Sequence, residues 1–138
     1  MASGESIRHK RLRLRIIEHI SKTLKVEEDQ IITDGSNDEA TSNCPPKLYN
    51  SVPDVYYFNR EQKVIIIGEA KAYWEDFYNN GFKKQIPDFY NYIKDMIITN
   101  PGLVGRIIIA VDNDFHLLAQ ERIKKKFSSD IKMFEIIT

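Results

Sequence analysis

Apolar positions along this chain repeat with two periods, and the change from one to the other marks out the elements. At about 100° per residue, Ile7, Leu12, Leu14, Ile16, Ile17, Ile20 and Leu24 share one broad arc, with Arg8, Arg11, Arg15 and Lys22 on the opposite side. This pattern predicts an amphipathic helix over residues 5–24 with a basic outer face and Glu18 at the border between the two faces. Residues 30–34, QIITD, read as a short strand. The polar stretch after it, GSNDEATSNCPPKLYNS, reads as a loop longer than most connections in compact domains.

Residues 52–74, VPDVYYFNREQKVIIIGEAKAYW, switch to strand character. With Arg60, Glu61, Gln62 and Lys63 as a four-residue loop, 54–59 and 64–69 form a hairpin in which Asn59 pairs with Val64. Counting back from that pair sets Asp54 opposite Glu69. A second helix is expected over about 82–99, with Phe89, Ile93, Met96 and Ile97 at helical spacing and Pro87 in its first turn. After the NPG turn, LVGRIIIAVD is a strand expected to be buried on both faces. FHLLAQERIKKKF is a third helix and IKMFEII a final strand. The order implies an α/β fold, with a mixed sheet flanked by helices and residues 1–138 forming a single domain.

A length of 138 residues supports one independent core, and 42% hydrophobic with 29% charged residues is ordinary for a globular protein. The formal net charge is zero, so affinity for a polyanion has to come from local patches, such as Arg8 to Arg15 or Arg122 to Lys126. The single cysteine, Cys44, excludes an internal disulfide and fits a reducing compartment. The three histidines lack metal-ligand spacing, no phosphate-binding glycine motif occurs, and no apolar run approaches a membrane span. A cytoplasmic protein is expected, without a membrane partner.

Candidate chemistry centres on the hairpin. Directly opposed like charges destabilise an antiparallel pair, so Asp54 and Glu69 need a compensating group. Lys71 shares the face of Glu69 because strand side chains alternate. A hard divalent cation such as Mg²⁺, which prefers oxygen ligands and keeps several waters, suits this cluster. An ion pair between Glu69 and Lys71 at a sheet edge, with Pro53 and Asp54 in a turn, fits the same residues.

The PD dipeptide at 53 and 54 and the EAK tripeptide at 69–71, on a hairpin between a helix and a helix–strand unit, resemble the PD-(D/E)XK nuclease superfamily, the restriction-endonuclease-like fold. The resemblance implies a three-layer αβββαβ core. It implies that Asp54, Glu69 and the Ala70 carbonyl bind Mg²⁺ or Mn²⁺, and that Lys71 is the catalytic lysine. Some branches add an acid from the first helix, matched here by Glu18, with Glu5 as the alternative. Others add a glutamine and a tyrosine after the lysine. Gln85 matches the first, whereas Tyr90 is one residue out of step and reads as core packing. Lys83 and Lys84, with Arg8, Arg11 and Arg15, are candidates for phosphate contacts. The expected activity is metal-dependent endonucleolytic cleavage of DNA, by a homodimer or by a catalytic domain attached to a DNA-recognition domain or subunit. A structure-selective resolvase and a non-catalytic DNA-binding module of the same fold are the alternatives.

Overall fold

The structure is a computed structural model and describes residues 6–33, 44–73, 77–78 and 81–138. Among these residues there are three α-helices, α1 (Ile7–Leu24), α2 (Ile86–Thr99) and α3 (His116–Lys126). Five strands, β1 (Ile32–Thr33), β2 (Val55–Asn59), β3 (Val64–Lys71), β4 (Val104–Val111) and β5 (Phe134–Ile137), form one sheet in the order β1-β2-β3-β4-β5. The first three strands are antiparallel neighbours, and β4 and β5 run parallel to β3.

Alternation along the strands divides the core in two. Ile65, Ile67, Ile107 and Ile109 pack with Phe89 and Ile93 of α2 and Ala119 and Ile123 of α3. Val64, Ile66, Ile108 and Ala110 pack with Leu12, Ile16, Ile17 and Ile20 of α1. The result is a mixed sheet with α1 on one face and α2 and α3 on the other. Every residue of β3 is buried, as expected of a central strand covered on both sides.

Several expected boundaries shift. Helix α1 starts at Ile7 because the Ser6 side chain accepts a hydrogen bond from the His9 backbone N–H at 3.1 Å, and it stops at Lys25, which turns left-handed with φ of 57°. Ile7 and Leu14 lie in solvent, 87% and 48% exposed, whereas Arg13 is buried; the inward face of α1 is centred one step away from the predicted arc. A 3-10 turn at Glu28–Gln30 shortens the first strand to two residues. Strand β4 is buried only from Ile107 onward; Val104 and Arg106 are exposed. The last strand starts at Phe134, because Ser128–Met133 winds into a 3-10 stretch. A wide π-type turn, Gly81–Gln85, precedes α2, and Pro87 sits in the first turn of that helix as expected.

The hairpin register agrees with the count from Asn59, which pairs with Val64, through to Val55 opposite Gly68. Gly68 has a packing reason: a Cβ there would meet Ile16 Cγ2 at 2.6 Å and Val55 Cβ at 3.0 Å. Only a bare backbone lets α1 lie this close to β3. Gly68→Ala is therefore expected to overpack the α1 face and to cost about 1–3 kcal/mol. Urea denaturation measures the cost, and an unchanged midpoint would contradict the close approach.

Candidate active site

The antiparallel turn from β2 to β3 and the parallel step from β3 to β4 bring the start of β2 and the ends of β3 and β4 to one edge of the sheet. Asp54 stands immediately before β2. Glu69 and Lys71 occupy the last turn of the pleat in β3, on the α2 side, and are 3% and 5% exposed.

Asp54 does not face Glu69 carboxylate to carboxylate. Its backbone N–H donates to Glu69 Oε1 at 3.1 Å, and its own carboxylate turns to accept from the Ala70 N–H at 2.8 Å on Oδ2. The exchange of backbone and side-chain hydrogen bonds converts a repulsive cross-strand pair into a latch. Glu69 Oε2 accepts from Lys71 Nζ at 2.8 Å, and the same Nζ donates to Gln85 Oε1 at 2.6 Å. Gln85 is available because it opens α2 without capping it, at the end of the wide turn. The sheet edge thus carries Asp54, Glu69, Lys71 and Gln85 as one connected network.

Helix α1 holds Asp54 from the other face. His9 Nε2 lies 3.2 Å from Asp54 Oδ2. Arg13 Nη1 donates to Thr33 Oγ1 at 2.8 Å, and that hydroxyl donates to the Asp54 carbonyl at 3.0 Å. A buried arginine in such a chain is tolerated because its charge is hydrogen-bonded.

These contacts set the protonation of the two acids apart. Burial raises the pKa of Asp54, but the His9 hydrogen bond and charge, the Ala70 N–H and Lys71 together outweigh it, so Asp54 ends below its ordinary value of 3.8. Glu69 goes the other way. Burial, then the charge of Asp54, push it up to about 8, and Lys71 only partly offsets them. Two adjacent carboxylates whose environments separate their pKa values are the pattern of a site prepared for a cation or for proton transfer.

The residues that could hold a divalent ion here are Asp54 and Glu69. Asp54 Oδ1 accepts no hydrogen bond from the described residues, and the Asp54 side chain is 21% exposed, which leaves an acceptor facing solvent. Burial and the neighbouring Asp54 charge raise the Glu69 pKa, and added positive charge at this carboxylate would lower it. Among the described residues no group of three or more His, Cys, Asp and Glu side chains converges as a ready-made metal centre. A Mg²⁺-type site needs only one or two carboxylates with several waters.

Other expected residues fall elsewhere. Glu18 is exposed and pairs with Lys22 at 3.7 Å. It lies about two and a half helical turns beyond His9, hence on the far side of α1 from Asp54. Glu5 lies outside the described residues. Lys83 and Lys84 are exposed, and Lys84 pairs with Asp88 at 3.3 Å. Tyr90 packs at a tilt on Phe127, stacks against Phe134 and hydrogen-bonds Asp130, a packing role. Arg8 and Arg11 converge on Asp112, just past the end of β4. The residues missed by the sequence reading are His9, Arg13 and Thr33. A signal existed for two of them, since His9 and Arg13 precede the fully buried Ile16 and Ile20 by one heptad and so share their face of the helix.

Comparison of the chain with models of protein families, with curated proteins and with solved structures returned no match. Among the described residues no helix is long and apolar enough to cross a membrane.

The Glu69 shift has a measurable consequence. Between its ordinary 4.5 and about 8, the folded protein holds a proton that the unfolded chain releases, so this group's contribution to stability is present at low pH and declines as pH rises through that window. In chelator, the melting temperature of the wild type is expected to fall from pH 5 to pH 8 relative to that of Glu69→Gln, whose side chain does not titrate. Parallel profiles for the two proteins would show that Glu69 is not perturbed.

Proposed function

We propose that this chain is a metal-dependent nuclease that hydrolyses phosphodiester bonds in DNA, using Mg²⁺ or Mn²⁺. The observation that carries the reading is the single network of Asp54, Glu69, Lys71 and Gln85 at one edge of the sheet. Burying an acid and a lysine beside a second, half-buried acid rarely stabilises a fold, so the arrangement points to chemistry. Support also comes from the helix, the antiparallel β1-β2-β3 arrangement, the second helix and the parallel β4, an order in keeping with the resemblance to the PD-(D/E)XK superfamily.

Asp54 and Glu69 would hold the ion, and the Ala70 carbonyl would join them. In an extended strand a residue's C=O points to the same side as its N–H, and the Ala70 N–H is directed at Asp54. When bound, the ion supplies a lowered pKa for a water and positive charge beside the phosphate. The protein's own residues do the positioning. Lys71 Nζ, tethered by Glu69 and Gln85, is placed to orient the attacking water and to balance charge developing on the scissile phosphate. Gln85 limits the swing of a long, flexible side chain. His9 and the Arg13–Thr33 relay keep the Asp54 carboxylate turned to the sheet edge.

Supercoiled plasmid incubated with the protein and Mg²⁺ or Mn²⁺ is expected to be nicked, and EDTA to stop the reaction. Asp54→Asn and Lys71→Ala are each expected to slow nicking by about 10²–10⁴-fold while remaining folded. A folded wild type that binds plasmid without cutting it under any of these conditions would make the chain a non-catalytic DNA-binding module, and the reading would fail.

The ion itself is separable from the reaction. Mg²⁺ or Mn²⁺ at about a hundred times its dissociation constant is expected to stabilise the wild type by about 2.7 kcal/mol, because it binds the folded site alone. Asp54→Ala should lose most of that shift in a thermal melt. An equal shift in both proteins would place the ion elsewhere.

A further inference from the structure

Beside the carboxylate site lies a second, cationic feature. Arg8, Arg11 and Arg15 form a row along one edge of α1, spaced three and four residues apart, and line a cleft of about 350 Å³ with Asp112, Asn113 and Asp114. Two of the guanidinium groups meet on one carboxylate. Arg8 Nη2 donates to Asp112 Oδ2 at 2.8 Å and Arg11 Nη2 to Asp112 Oδ1 at 2.5 Å. A guanidinium fork binds carboxylate and phosphate with the same planar geometry. The seat occupied by Asp112 therefore has the chemistry of a phosphate site.

Two further observations tie this seat to the candidate active site. Val111, the residue before Asp112, pairs with Lys71 across the parallel β3–β4 step. The Arg8 guanidinium also lies 5.6 Å from the ring centre of Tyr73, two residues beyond Lys71 and 39% exposed. The clasp is open to solvent, with Arg8 and Arg11 side chains 56% and 51% exposed against 15% for Asp112. Exposed ion pairs contribute little to stability, so Asp112 can yield to a stronger oxyanion at small cost. Arg15 adds a third guanidinium group to the cleft, beside the carboxylates of Asp112 and Asp114 and next to Thr138.

We propose that Arg8, Arg11 and Arg15 seat a backbone phosphate of the nucleic acid next to the scissile one, and that Asp112 holds the Arg8–Arg11 clasp closed until that phosphate displaces it. This assignment rests on the nuclease reading for its substrate, yet the binding itself needs neither the ion nor Lys71. The cleft guides the strand across the ends of β3 and β4, and Asp112 weakens binding at this seat.

The test is fluorescence anisotropy of a labelled DNA duplex in EDTA, at several salt concentrations between about 50 and 200 mM, so that cleavage plays no part. The double variant Arg8→Ala/Arg11→Ala is expected to bind about three- to tenfold more weakly and to lower the slope of log K against log salt by about 1, the loss of one phosphate contact. Asp112→Asn is expected to bind more tightly than wild type by a similar factor. Arg60→Ala, in the hairpin loop at the opposite end of the sheet, is expected to leave affinity and slope unchanged, and thermal melts confirm that each variant is folded.

If the double variant retains wild-type affinity and salt slope, or if Asp112→Asn binds more weakly, the phosphate seat is overturned whether or not the protein nicks plasmid. If the seat behaves as expected and no nicking occurs, the nuclease reading falls and the seat stands as a nucleic-acid contact. Equal weakening by Arg60→Ala would make the effect one of overall charge and would also overturn the assignment.

Discussion

Glu69 stands near the end of β3, a strand buried along its whole length, and a carboxylate there is tolerated only while its oxygens are bonded. One takes the Asp54 backbone N–H and the other takes Lys71. Much of the surrounding structure follows from meeting that demand. Asp54 has to stop pairing as a strand residue so that its N–H can reach Glu69, which is why β2 begins one residue later. Its freed carboxylate then needs donors of its own and finds them in Ala70 and His9. Lys71, buried beside Glu69, takes Gln85 as its second acceptor, and the wide turn before α2 delivers that residue. Removing any one partner leaves a buried polar group unsatisfied, which costs more than the bond itself contributes.

The two helical layers have different tasks. On the α1 side, Gly68 allows close packing, and that proximity puts the first two turns of α1 against the sheet edge, where His9 and Arg13 reach Asp54 and Thr33. On the α2 side, the contribution is a single glutamine at the start of the helix. Asp54 is therefore oriented by one layer and the lysine by the other. Under the proposed nuclease reading a substrate would approach the sheet edge between them, where Asp54 is partly exposed. The arginine row of α1 opens onto the same edge through Asp112 and Tyr73. The connection gives a chain of zero formal net charge a local cluster of guanidinium groups beside that edge.

Local features of the site were legible from residues alone. The four-residue loop and the alternation on either side of it determined the hairpin register, and with it the meeting of Asp54, Glu69 and Lys71, because register within a hairpin depends on residues only a few positions apart. The helical stripe of α1 was legible too, but its centre was not. Counting only apolar residues drew the arc through Ile7 and Leu14, which face solvent, and passed over His9 and Arg13, which share the face of Ile16 and Ile20. A polar residue on a buried stripe is the informative exception, and a hydrophobic count leaves it out. Glu18 had the right chemistry for a site acid but stands on the outer face, paired with Lys22.

The sequence by itself determined the periodic elements, the hairpin pairing and the carboxylate–lysine set, all products of contacts within a hairpin or along one helix. Only the tertiary structure decided which groups meet one another: His9, which the residue pattern did not offer, 45 residues from Asp54; Gln85, a candidate from the family resemblance, whose side chain reaches Lys71 across a turn of unusual width; and Arg8 and Arg11, candidates for phosphate contacts, which converge on Asp112 more than a hundred residues away. The reason is physical. Propensity and periodicity describe how a segment satisfies its own backbone and presents a face. Which residue of that face meets which strand end depends on how closely two layers pack, and for α1 that distance depends on Gly68, which no pattern of hydrophobic residues reports.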